Sequence, residues 1–102
     1  MKNMLKELLI TNDVLIIDEI LHHPPYDIAK AIQNFAIDDQ ITVFNIMPID
    51  KSIQIFRYIK PNKKCEVLIK LSVGKARILI NSQPIDDLVQ LFRESNPNQK
   101  KN

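Results

Sequence analysis

The side chains of this 102-residue chain whose type and spacing are best suited to chemistry form two pairs of adjacent aspartates, Asp38-Asp39 and Asp86-Asp87. Each pair falls at the second and third residues of a predicted helix, where a carboxylate complements the positive end of the helix dipole. From the residues alone, we therefore expect the four aspartates to stabilise the starts of their helices.

The other reactive side chains favour structural roles. His22 and His23 are sequence neighbours whose rings diverge on a helix, and no nearby residues complete a tetrahedral metal site, so we expect them to end a helix before Pro24. Cys65 falls at an apolar position and predicts an inert, packed thiol. The single glycine, Gly74, leaves no phosphate-binding loop. Because no nucleophile, base and orienting group can be assembled, we expect no enzymatic activity.

The composition is that of a small globular protein, with 45% apolar residues and one cysteine. This length suits one domain with one core. The sequence contains no stretch of about 20 uncharged apolar residues, and its beginning does not resemble a secretory signal. We therefore expect a cytoplasmic domain that does not insert into a membrane.

Charge is divided unevenly along the chain. Residues 1–50 hold 3 basic and 8 acidic residues, whereas residues 51–102 hold 11 basic and 4 acidic residues. Such a chain can pair head to tail with a copy of itself or offer a basic face to an acidic partner; charge balance within the molecule is the alternative. Because the basic half lacks interleaved aromatic residues, we expect no nucleic-acid partner.

A period of 12 residues organises most of the chain. The residue that begins each repeat is Pro25, Ile37, Ile49, Pro61, Val73 or Ile85. Positions four, six, seven and ten after these residues are mostly apolar and share one face at about 100° per residue, which predicts helices of nine or ten residues. A strand is the alternative, favoured by alternating segments such as 41–44. It would separate position seven from the others, although position seven is always apolar: Ile32, Phe44, Phe56, Leu68, Ile80 and Phe92.

Helices this short are marginal alone and must stack. We therefore predict an all-α fold, a right-handed α-solenoid or superhelix of about eight short helices, as one domain over residues 1–95. Two of these helices, residues 4–10 and 14–21, precede the repeats, with Thr11 or Asn12 as the cap between them. Residues 96–102 are polar and predict a disordered tail.

The residues from Leu21 to Ile32, LHHPPYDIAKAI, resemble the opening "LHPADIAELL" of the intracellular N-terminal domain of MgtE-type magnesium transporters. The family's spacing and apolar positions continue through residues 36–71. Residues 82–92, SQPIDDLVQLF, are then similar to the family's "MSPDDLADLL". The resemblance covers about residues 4–95.

The resemblance implies a superhelical cytosolic domain that precedes a pair of CBS modules and a transmembrane pore, on the cytosolic face of the inner membrane. In that family, Mg²⁺ bridges acidic residues of the helical domain to the CBS modules. Asp86 and Asp87 match the family's paired aspartates, and Asp38 and Asp39 take the same register four repeats earlier. The acid that the family has four residues further on is Gln90 here, so an i, i+4 carboxylate pair is lost. The resemblance therefore makes Asp86, Asp87, Asp38 and Asp39 the candidate metal ligands, and we expect weak Mg²⁺ binding.

The alternative function is a protein-interaction solenoid without ion sensing, similar to the helical repeats of a flagellar motor-switch protein. Gln90 and the basic second half favour this alternative. A homodimer is compatible with both functions.

Overall fold

The computed structural model describes residues 1–95, and in that range every regular element is an α-helix. This confirms the prediction of an all-α fold and excludes the strand alternative for the described repeats. The helices are α1 (Lys2–Thr11), α2 (Val14–Leu21), α3 (Pro25–Ile32), α4 (Ile37–Ile46), α5 (Ile49–Arg57), α6 (Pro61–Lys70), α7 (Val73–Asn81) and α8 (Ile85–Ser95).

The chain divides into two compact units, the first comprising Met1–Ile59 and the second beginning at Lys60. In the first unit α3 packs against α5, and α1 contacts α2, α3 and α4. In the second unit α6 packs against α8. Helices two apart in the chain thus lie side by side within each unit, as stacked repeats require. The solenoid and its single domain over residues 1–95 stay predictions, and the predicted tail at 96–102 lies outside the described residues.

The turn between α1 and α2 contains two capping residues. Asn12 adopts a left-handed conformation with φ of 52° and ends α1, a role that asparagine tolerates better than most residues. The carboxylate of Asp13 then accepts a hydrogen bond of 2.9 Å from the backbone N–H of Leu15 and caps α2. Asn12 is therefore a cap between the two helices, as predicted, and Asp13 is a second cap that the sequence analysis did not name.

Prolines and a serine mark the beginnings of several repeat helices. Pro25 and Pro61 occupy the first turn of α3 and α6, where a missing N–H costs nothing. Ser72 caps α7 by accepting a hydrogen bond of 3.4 Å from the N–H of Lys75. Pro48 instead lies one residue before the first turn, as the N-cap of α5.

The buried face of the repeat is narrower than the pattern predicts and is centred differently. Position six is buried in all six repeats, whereas position four is half-buried or exposed from the second repeat on. In most repeats, position three is buried and position four is not. Positions three, six, seven and ten span only about 100° at 100° per residue, and position four lies outside that arc. The position-three residues are Ile28, Gln40, Ser52, Lys64, Ala76 and Leu88.

The core of the first unit contains an aromatic contact between neighbouring repeats. Phe44 and Phe56, both at position seven, are fully buried. Their rings meet edge to face, with centroids 6.1 Å apart and planes inclined by 75°. This arrangement adds roughly 0.5–1.5 kcal/mol to the burial of the two rings.

Candidate magnesium site

The two aspartate pairs lie where the sequence predicts, in the first turns of α4 and α8. Asp38, Asp39 and Asp86 are exposed, and Asp87 is half-buried. Carboxylates in a first turn lie near the positive end of the helix dipole and stabilise the helix by about 0.3–1 kcal/mol each. Their placement therefore serves the fold whether or not a metal binds.

The pairs belong to different compact units, since Asp38 and Asp39 lie in the first and Asp86 and Asp87 in the second. Each pair is therefore a separate candidate site. In the part of the chain that the structure describes, no three histidine, cysteine or acidic side chains come together as a set of metal ligands. Mg²⁺ held by one or two carboxylates keeps several waters, which suits exposed aspartates.

Asp87 differs from the other three aspartates because it has a buried cationic neighbour. The side chain of Lys64 is buried, and its Nζ donates a long hydrogen bond of 3.5 Å to Oε1 of Gln83. Burial lowers the pKa of Lys64, and the negative charge of Asp87 partly opposes this by raising it. An ammonium group that the Asp87 carboxylate stabilises also repels a metal ion, so Asp87 is the least suitable Mg²⁺ ligand of the four.

His22 and Cys65 have the environments expected of structural residues. His22 follows the last residue of α2, and its Nδ1 lies 2.8 Å from the backbone carbonyl oxygen of Asp18, which confirms the helix-terminal role. Cys65 is half-buried instead of fully packed, because position four lies beside the buried face. Its Sγ lies 3.7 Å from the carbonyl oxygen of Leu91.

A set of buried polar groups at position three was missed by the sequence analysis. Nε2 of Gln40 donates to the carbonyl oxygen of Ile32 at the end of α3, at 3.0 Å, and to that of Phe35 just after the helix, at 3.1 Å. Oγ of Ser52 donates to the carbonyl oxygens of Phe44 and Met47, at 3.1 and 3.4 Å, at the end of α4. These side chains satisfy the open carbonyl groups of the preceding helix.

The signal for this capping was present in the sequence. Gln40, Ser52 and Lys64 are polar residues spaced by one repeat length on the face that carries the apolar positions. Lys51 of α5 also caps a helix that is distant in the chain. Its Nζ donates to the carbonyl oxygens of Leu21 and His23, at the end of α2 and just after it, at 3.1 and 2.8 Å. These contacts fix short connections between helices of the first unit, including the one that leads into the first turn of α4 with Asp38 and Asp39.

A family model, described as the MgtE intracellular N domain, matches residues 23–102. The chain belongs to this family. The MgtE N domain match begins at His23, directly before the two prolines that start α3, and includes both aspartate pairs. Helices α1 and α2 precede the matched segment, although our resemblance extended to about residue 4.

The family assignment confirms the resemblance drawn from residues 21–32 and 82–92. No curated protein and no solved structure matches this MgtE N domain chain. None of the helices within residues 1–95 combines the length and apolarity needed to span a bilayer.

Proposed function

We propose that this MgtE N domain is the cytosolic, non-catalytic regulatory part of a magnesium transporter and binds Mg²⁺ weakly through its helix-start aspartates. The observation that carries the proposal is the family match over residues 23–102, which contains both pairs. The proposed partners are CBS modules and the transmembrane pore of the transporter. A metal ion bound at the domain surface would supply positive charge between the aspartates and acidic groups of a CBS module.

The exposure of the carboxylates supports weak, hydrated binding. Asp38, Asp39 and Asp86 are accessible to an ion that keeps most of its water shell. Adjacent residues on a helix point in different directions, so each pair offers one carboxylate at a time to a given ion. We therefore propose that the isolated domain holds part of the coordination shell and that a partner completes it.

Amide NMR titration with MgCl₂ tests this proposal, with NaCl and CaCl₂ series to separate specific binding from ionic strength. We expect saturable shifts at the starts of α4 and α8 that Asp38→Asn with Asp39→Asn, or Asp86→Asn, removes locally. Asp50→Asn is the matched control, because Asp50 is also an exposed aspartate in a first turn, that of α5. Identical shifts in every salt, in the presence of the CBS modules as well as in their absence, would contradict ion sensing.

A second candidate function is protein interaction without ion sensing. It is favoured by large apolar side chains that are exposed on the second unit, Ile69 and Phe92 among them. Single exposed apolar residues are common, but a contiguous apolar surface marks an interaction site. Partner binding that persists unchanged when Mg²⁺ is chelated would favour this function over the first.

A further inference from the structure

The second unit carries an open apolar cleft of about 490 Å³ between α6, α7 and α8. Leu68, Ile69, Ile80 and Phe92 line it, and the side chains of Ile69 and Phe92 are 81% and 69% exposed. The cleft continues along Leu68, Ile69 and Ile80 into a second depression that Arg77 also lines. Apolar surface of this extent gains free energy when another molecule removes it from water.

The second unit, in which the cleft lies, is basic in its overall composition. Residues 60–93 contain seven basic and three acidic residues. A partner that fits the cleft therefore carries apolar side chains flanked by carboxylates, since complementary charge steers association and disfavours like-charged partners.

A surface of that chemistry lies at the turn between α1 and α2 of this same protein. Ile10 and Leu15 are 85% and 77% exposed, and Val14 beside them is also exposed. Asp18 and Glu19 are exposed as well and lie three and four residues after Leu15, on the same side of α2. The whole first unit, residues 1–59, is acidic, with eight acidic and five basic residues.

We propose that this protein associates head to tail with copies of itself, the α1–α2 turn of one copy docking into the apolar cleft of the next. Ile10, Val14 and Leu15 enter the cleft beside Ile69 and Phe92, and the carboxylates of Asp18 and Glu19 face the basic second unit. The two surfaces differ, so the interface is heterologous, and a pair of copies keeps one free turn and one free cleft. The proposal does not depend on Mg²⁺ binding.

Sedimentation velocity from micromolar to millimolar protein tests this interface. We expect concentration-dependent association that weakens with added NaCl, because the flanking charges are screened. Ile69→Glu in the cleft and Leu15→Gln in the turn should each weaken association about tenfold or more, since each places a polar or charged group in an apolar contact. Ile85→Glu and Ile49→Gln are matched controls, because both residues are exposed and neither lines the cleft.

Mixing the two defective variants gives the decisive result. The Leu15→Gln protein keeps its cleft and the Ile69→Glu protein keeps its turn, so an equimolar mixture should form a one-to-one dimer that does not grow further. Wild-type protein that stops at a closed dimer at every concentration would indicate a symmetric interface and would overturn the proposal. Monomeric wild-type protein at every concentration, or controls that weaken association as much as the cleft and turn variants, would also overturn it.

Discussion

The seventh position of the repeat is apolar in both compact units, but the two units bury it to different extents. In the first unit Phe44 and Phe56 are completely enclosed at this position. In the second unit Ile80 and Phe92, in the same register, remain exposed. The period of the sequence determines which side chains share a helix face, whereas burial also requires a neighbouring helix on that face. The same sequence pattern therefore forms a core in one unit and an accessible apolar surface in the other.

Alanine substitutions at the seventh position should show the largest difference in stability loss between the two units. Phe44→Ala removes a fully buried ring and leaves a cavity, so we expect it to lower the free energy of unfolding by about 3–5 kcal/mol. Phe92→Ala removes an exposed ring and should cost less than about 1 kcal/mol. Urea denaturation of the two variants measures both values. Equal losses would show that the second unit buries its seventh position in solution.

Position three distinguishes the units by the kind of polar group that it buries. Gln40→Leu takes a hydrogen-bond donor from the carbonyl groups of Ile32 and Phe35 and should destabilise the protein by about 1–2 kcal/mol. Lys64→Met removes a charged group from a buried position in the second unit, which is often neutral or stabilising. Thermal unfolding at neutral pH measures both changes. No loss for Gln40→Leu would contradict the assignment of capping to Gln40, and a clear loss for Lys64→Met would contradict the expectation that its buried charge does not stabilise the fold.

The smallest expected effect concerns the aspartate pair of the second unit. Asp87 stabilises the ammonium form of buried Lys64, so Asp87→Asn should cost about 1 kcal/mol at neutral pH. Asp86 is exposed, and Asp86→Asn should change stability by less than about 0.5 kcal/mol. Chemical denaturation compares the two variants. Equal effects would mean that Asp87 does not support Lys64.

The pH dependence of unfolding checks the same contact. Burial holds the pKa of Lys64 in the folded protein below its ordinary value of 10.5, which applies to the unfolded chain. At any pH between the folded and the unfolded pKa, the unfolded chain therefore binds more protons than the folded chain. Stability attributable to Lys64 therefore rises with pH in that window, and the unfavourable burial of its charge is fully present below it. Asp87→Asn should lower the folded pKa further and start the rise at a lower pH. Lys64→Met should remove this contribution. Lys75, whose pKa is also lowered by burial, contributes a similar rise in the wild-type protein and in the variant.

Much of the helical architecture could be predicted from the repeat. Helix α2 has the predicted bounds, and proline or serine marks the beginning of α3, α6 and α7. The width of the buried face was overestimated because apolar residues at position four can lie at its border. Ile41 and Ile53 are half-buried there, while polar Gln40 and Ser52 are buried. Hydropathy alone cannot recognise a polar side chain whose hydrogen bonds to helix ends offset its burial.

The aspartates of the candidate site could also be located from the sequence, since first-turn carboxylates have a strong positional signal. The difference between Asp87 and the other three aspartates could not be predicted from the sequence. Lys64 reaches Asp87 only because α6 packs against α8, and the two residues are almost two repeats apart in the chain. Whether any of the four binds Mg²⁺ stays a prediction, as does the role of a CBS partner.

The packing of alternate helices has a consequence for how quickly the protein folds. Helix α3 finds its neighbour α5, and α6 finds α8, across only about two repeats of chain. Forming contacts between segments that are close in sequence closes only short loops, so the chain loses little entropy before the packing free energy is gained. Domains with such local contacts reach their native state in microseconds to milliseconds. We expect each compact unit to form on this timescale, soon after its last helix becomes available to pack.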